Sequence, residues 1–176
     1  KEFDLRTKKT AAIALKDDDR VIAVEKQDET AGTVIMVSKG GMSIRFATDT
    51  VPVMGKGAGG VKCMKLDEGD RVIFAAQIAD EGEILTISDR GYAKRSLVFD
   101  YEIQGRNGKG LKTFDFKKNG SNGTAIAAAL YVKEPYDIVI RQFHGAETVV
   151  NTETVFIEQR PGKGMLTVMA LLDDIV

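Results

Sequence analysis

Short apolar runs separated by acid-and-glycine clusters set the pattern of the chain. "VIMVSKGGMSIRF" (34–46) holds two such runs around a Lys-Gly-Gly turn, and "ILTISDRGYAKRS" (84–96) holds two around Asp-Arg-Gly. Val, Ile, Thr and Phe fill the runs, as suits half-buried pleated strands, whereas "DEGD" (67–70) and "DEGE" (80–83) have turn chemistry. In the best-defined stretch the pattern predicts strands at 61–65, 71–78, 83–88 and 92–98. Helical periodicity is weak throughout. "TAIAAALYV" (124–132) carries helix-forming alanines, yet it aligns with the strand-like "RVIFAAQI" (71–78), and strand is the expectation there.

The pattern repeats. Gly41 and Arg45 recur as Gly91 and Arg95, an offset of 50, and Gly55-Lys56 recurs as Gly105-Arg106. "LKDDDRVIAV" (15–24) matches "LDEGDRVIFA" (66–75) at an offset of 51. A third copy runs through "YDIVIRQFHG" (136–145), with Gly164 lying 54 residues beyond Gly110. In that copy Val149 stands where the others have Arg45 and Arg95, and Glu147 adds an acid beside it. Four strands per repeat of about 50 residues is the signature of propeller blades, each burying its faces on its neighbours. The expected organisation is one all-β domain of about three and a half blades. Repeats span about 1–54, 55–104 and 105–158, and a final strand lies in 159–176, within "GMLTVMALL" (164–172).

The glycine-rich connections invite a different reading, because Gly55, Gly57 and Gly60 satisfy G-x-G-x-x-G. A dinucleotide loop of that type follows a strand and opens a helix. Here the glycines lead into another strand and turn, and the pattern is lost in "GRNGKG" (105–110) and "RPGKG" (160–164). No Lys of these loops stands in a G-K-[ST] context either, so nucleotide binding is not expected. Every copy keeps a cation among glycines: Lys56, then Arg106 and Lys109, then Arg160 and Lys163. Glycines let backbone N–H groups and a cation approach a phosphate closely. Three such loops on one edge of a repeat array would line their charges along a track.

Charge changes the picture only when read by segment. The net charge is −1, but residues 90–118 carry eight bases against three acids, leaving −6 elsewhere. Such segregation points to an anionic partner. A single cysteine, Cys63, rules out an internal disulfide and fits a reducing cytoplasm, and one His with one Cys cannot build a zinc site. No apolar run is long enough for a membrane span. No paired carboxylates or metal-ligand spacing recur outside turns, and no cofactor is expected. The sequence opens on Lys1 rather than Met and is expected to be a piece of a longer polypeptide.

"IRFATDTVPVMGKGAGGVKCMKLDEGDRVI" (44–73) and "ILTISDRGYAKRSLVFDYEIQGRNGKGLKTF" (84–114) resemble the C-terminal domain of the A subunit of bacterial type IIA topoisomerases, gyrase and topoisomerase IV together. The "G-Y-x-K-R" turn (91–95) and "R-x-G-K-G" (106–110) carry the resemblance, which covers essentially the whole chain. It implies a β-pinwheel, a propeller-like disc whose blades exchange strands, with double-stranded DNA bent around a basic outer rim. It also implies partners: the rest of the A subunit, together with the B subunit, in an ATP-dependent enzyme whose catalytic tyrosine lies elsewhere. The gyrase box Q-R-R-G-G-K-G belongs to a first blade; "QGRNGKG" (104–110) matches five of its seven positions but sits at an interior junction.

Sequence-independent DNA binding is therefore the expected role, non-catalytic in itself. Arg45, Lys56, Lys62, Lys94, Arg95, Arg106, Lys109 and Lys112 are the expected phosphate contacts, followed by Lys117, Lys118 and Lys163. The alternative is a propeller that recognises an acidic protein.

Overall fold

The computed structural model describes residues 11–16, 18–55, 57–169 and 176. Its regular elements are strands joined by tight turns. In chain order they are β1 (Thr33–Ser38), β2 (Met42–Ala47), β3 (Val72–Ile78), β4 (Glu83–Ser88), β5 (Tyr92–Leu97), β6 (Leu111–Lys112), β7 (Ile126–Val132), β8 (Asp137–Arg141), β9 (Glu147–Asn151) and β10 (Met165–Leu166). "TAIAAALYV" is a strand, because its alanines sit against β4 and a packed partner overrides intrinsic helix propensity.

Two four-stranded sheets have the orders β3-β1-β2-β6 and β10-β5-β4-β7, and β8-β9 forms a two-stranded sheet. All named pairs are antiparallel. Each four-stranded sheet takes its central hairpin from one stretch of chain, then a long strand and a two-residue strand from later stretches. The sheets thus interleave along the sequence, which is the strand exchange of a pinwheel. Their equivalence reaches detail: register shifts fall at Val37/Ser38 in one sheet and at Ile87/Ser88 in the other. Two expected strands are shorter than their apolar runs. Of 61–65 only Met64 bridges, to Gly108, and of 164–169 only Met165 and Leu166 are in a strand.

The core lies between sheets rather than within one. Ile35, Val37 and Ile78 of the first sheet pack with Ile84 and Ala129 of the second and with Val98 and Tyr101 at the 3-10 turn after β5. Leu85, Ile87, Ala93 and Val132 pack in turn with Ile140, Val150 and Val155 of the third unit. Neighbouring blades therefore supply each other's apolar cover, which is why a single repeat has no core of its own. A 3-10 turn follows each hairpin, at Thr48–Thr50, Val98–Asp100 and Thr152–Thr154.

Candidate nucleic-acid interface

The repeated arginines are interior residues. Arg45 is buried, and its Nε donates to Thr33 Oγ1 at 2.9 Å. Its guanidinium also donates to the carbonyls of Val98 and Tyr101, which bound the 3-10 turn of the next unit, and pairs with Asp80. Arg95 does the same one repeat later. It donates to the carbonyls of Val155 and Glu153, both at 2.8 Å, and pairs with Glu83 at 2.6 Å. Parallel bridges, Arg45 to Ile103 and Arg95 to Ile157, run beside these contacts. Each arginine is a staple between consecutive units.

Arg45 and Arg95 were expected to face a phosphate on the rim; the structure places their donors on carbonyls of the next unit and on a carboxylate. Lys94, expected beside them, is also placed inside. It is fully buried, with Nζ 2.5 Å from Ser96 Oγ and 3.4 Å from the Gln159 carbonyl. Burial pulls its ammonium down from the usual 10.5 to about 8, against the raising influence of Glu158.

The glycine loops, by contrast, are brought together. Ala14 N donates to Ala58 O at 3.1 Å, Lys65 N to Gly108 O at 2.9 Å, and Asp115 N to Gly162 O at 2.7 Å. These are equivalent bonds one repeat apart, and the last two each tie a loop to the segment that leaves the loop before it. The loops therefore succeed one another along one edge. Gly110 must be glycine: its φ is +75°, and any side chain would collide with the Ser43 carbonyl of β2. Asn107 takes φ +68° in the same loop, a conformation Asn tolerates.

The cations of this edge divide into pinned and free. Arg106 is half-buried and holds the loop before it, donating to Thr50 O at 3.2 Å and Lys62 O at 2.8 Å. Lys62 is exposed. Lys109 is exposed and pairs with Asp67 at 2.6 Å, a bond that holds the Asp67 carboxyl below its ordinary range. Lys112 and Lys163 are exposed and share Asp115, at 3.2 and 4.0 Å. Lys117 and Lys118 are exposed on the following turn, with the Lys117 ammonium 5.6 Å from the Tyr92 ring centre. Lys56 lies outside the described residues. Arg160, not among the expected contacts, is half-buried with its guanidinium 4.9 Å from the Tyr101 ring centre. Its place 54 residues after Arg106 was the available signal.

Asn122, readable from sequence only as a turn residue, ties the edge together from beneath. Buried, it donates to Asp115 O at 3.0 Å and Lys163 O at 2.8 Å, and accepts from Lys117 N at 2.7 Å. Tyr101 is a core residue, its hydroxyl 2.8 Å from Thr113 Oγ1 and its pKa raised by burial.

Interleaved four-stranded units with a glycine-and-cation loop at each junction define a propeller-like β-pinwheel protein. The chain belongs to the DNA gyrase C-terminal domain, beta-propeller, family, whose model matches residues 6–28, 32–79 and 82–122. It is 38% identical over 122 residues to the A subunit of DNA gyrase from Haloquadratum walsbyi, covering 68% of this chain and 14% of that one. It is 30% identical over 165 residues to the A subunit of DNA gyrase from Pseudomonas aeruginosa, covering 94% of this chain and 17% of that one. Among solved structures, a DNA gyrase A C-terminal domain superposes with a TM-score of 0.77 at 25% identity, over 93% of this chain and 55% of that chain. The C-terminal domain of a DNA topoisomerase IV superposes at 0.82 with 22% identity, over 90% and 48%, which speaks to fold alone. The chain thus spans about half of these solved domains and a small part of the full-length gyrase relatives.

Proposed function

We propose that this chain binds double-stranded DNA without sequence preference across the edge formed by its glycine loops, and that it serves the A subunit of a type IIA topoisomerase that works with a B subunit. The observation that carries this reading is the backbone ladder from loop to loop, with exposed Lys62, Lys109, Lys112 and Lys163 along one edge. Exposed lysines on short loops neutralise phosphates and release counterions, and nothing in their arrangement selects a base. Arg106 and Asn122 contribute by holding the loops, and Arg45 and Arg95 by holding the fold beneath them. Asp67 and Asp115 already partner three of the lysines, so phosphates must displace these carboxylates and the binding is correspondingly salt-sensitive.

Titrating a labelled duplex with the chain at several salt concentrations tests the reading. Affinity falls steeply with salt, and Lys109→Glu weakens AT-rich and GC-rich duplexes alike. Salt-independent binding, or none, overturns it.

A further inference from the structure

Beneath the loops, equivalent positions of the two four-stranded sheets differ as a set. Met36, Ile44 and Phe46 in the first sheet become Thr86, Lys94 and Ser96 in the second, 50 residues on. Met36 faces Ile44 across the strands, and Thr86 faces Lys94. The loop residue above changes in step: Gln104 becomes Glu158, 54 residues on. An apolar shelf lies under 104–110, where Gly108 packs on Ile44, and a buried cation with an acid above it lies under 158–164.

The acid is tied into its loop. Glu158 accepts from Lys163 N at 3.2 Å and Gly164 N at 2.9 Å, and Gly162 has no Cβ because the Glu158 side chain fills that space. Ser96 Oγ donates to Glu158 O at 2.7 Å, while Lys94 Nζ donates to Ser96 Oγ and reaches Gln159 O at 3.4 Å. Arg160 and Asp100 are the other charged groups facing Lys94. Ile44 demonstrates that this fold accepts an aliphatic side chain at the same site, so folding alone does not demand a lysine. A buried cation needs compensating partners, and here they are the Ser96 hydroxyl, itself bonded to the Glu158 carbonyl, and the Gln159 carbonyl of the loop.

We propose that Lys94 and Glu158 together position loop 159–164, Lys94 through Ser96 Oγ and the Gln159 carbonyl and Glu158 through the Lys163 and Gly164 N–H groups, holding Lys163 toward the phosphate edge where the first-sheet loop rests on an apolar shelf. Lys94 is a positioning residue, since it touches no partner of the loop. The functional half rests on the DNA-binding reading; the loop-holding half does not.

The experiment measures amide hydrogen exchange and duplex binding on the full chain for Lys94→Met, Glu158→Gln and both together, the double variant copying the Ile44–Gln104 arrangement. Each single change speeds exchange at Lys163 and Gly164 by about tenfold, the scale of one charge-assisted hydrogen bond, with Lys109 and Gly110 unaffected. The double variant is less perturbed than the sum of the singles. In duplex binding, each single change lowers the slope of log affinity against log salt by about one phosphate contact. Unchanged exchange in both singles overturns the proposal, as does strict additivity. Should Lys94→Met fail to fold, Glu158→Gln decides it alone by the exchange measurement. Faster exchange with an unaltered salt slope overturns the functional half. A wild-type chain that ignores DNA overturns the DNA-binding reading, and the exchange measurement still judges the pair.

Discussion

At the scale of single residues, spacing along the sequence identifies an important side chain without saying which way it points. Arg45 and Arg95 were legible as repeat-defining residues, but a periodic arginine reads equally as a surface phosphate contact or a buried staple. The deciding facts, the carbonyls of Val98, Tyr101, Glu153 and Val155, come from the next unit, more than 50 residues away. The two staples should differ in strength. Glu83 is only 17% exposed beside Arg95, whereas Asp80 is 89% exposed beside Arg45. Removing a cation from a buried acid strands a charge, and removing it from a solvated one does not. Arg95→Met should therefore cost about 3 kcal/mol in urea unfolding, and Arg45→Met clearly less, mainly through its orphaned carbonyls.

Lys94 gives a second residue-scale prediction. Its folded-state pKa of about 8 lies below the ordinary 10.5, so between those values the unfolded chain holds a proton that the folded chain has released. Stability should rise with pH across that window, be fullest above it, and lose this contribution as pH falls back to about 8. Lys94→Met should abolish the rise; urea unfolding of both proteins at steps from neutral pH upward reads the difference. A wild-type curve parallel to the variant's would mean that the Lys94 ammonium is not desolvated.

At the scale of elements, hairpins were the readable part. Turn glycines and alternating Val, Ile and Thr placed β1–β2 and β4–β5 close to their observed bounds. Strand β10 falls within the expected final strand, but the two-residue extent of β6 and β10 was not readable, because pairing with an earlier hairpin rather than local pattern ends them. Strand β7 was readable only through the repeat. The third hairpin differs from the others in having no flanking strand among the described residues, and Val139 and Val149 are left 60% and 65% exposed. An isolated two-stranded sheet is marginal in water. Amide exchange in β8 should thus be far faster than in β4, which is paired on both sides and buried over most of its length. Equal protection in the two strands would show that the third unit has its cover after all.

At the scale of the molecule, the loops and the charge segregation both pointed to an anionic partner, and the ladder from loop to loop gives that pointer a geometry. What sequence left hidden was the share of basic residues absorbed by the fold: Arg45, Lys94 and Arg95, three of the eight expected contacts, lie inside. The remaining arrangement makes a quantitative demand. If Lys62, Lys109, Lys112 and Lys163 each meet one phosphate, log affinity should fall against log salt with a slope of about −3.6 for duplex DNA, at about 0.9 per contact. Changing Lys109 and Lys163 together to Gln should bring the slope to about −1.8, because each lost contact releases one fewer set of counterions. Neutral replacements separate lost contact from introduced repulsion, and both sites are exposed, so the fold is untouched. If the loops on successive blades follow a curve, the path they offer favours duplex that is already bent. A small DNA circle should therefore outcompete a linear duplex of the same sequence, and the double variant should lose that preference along with its slope. A slope near zero, or circle and linear forms bound alike, would mean that the four lysines do not act as one track.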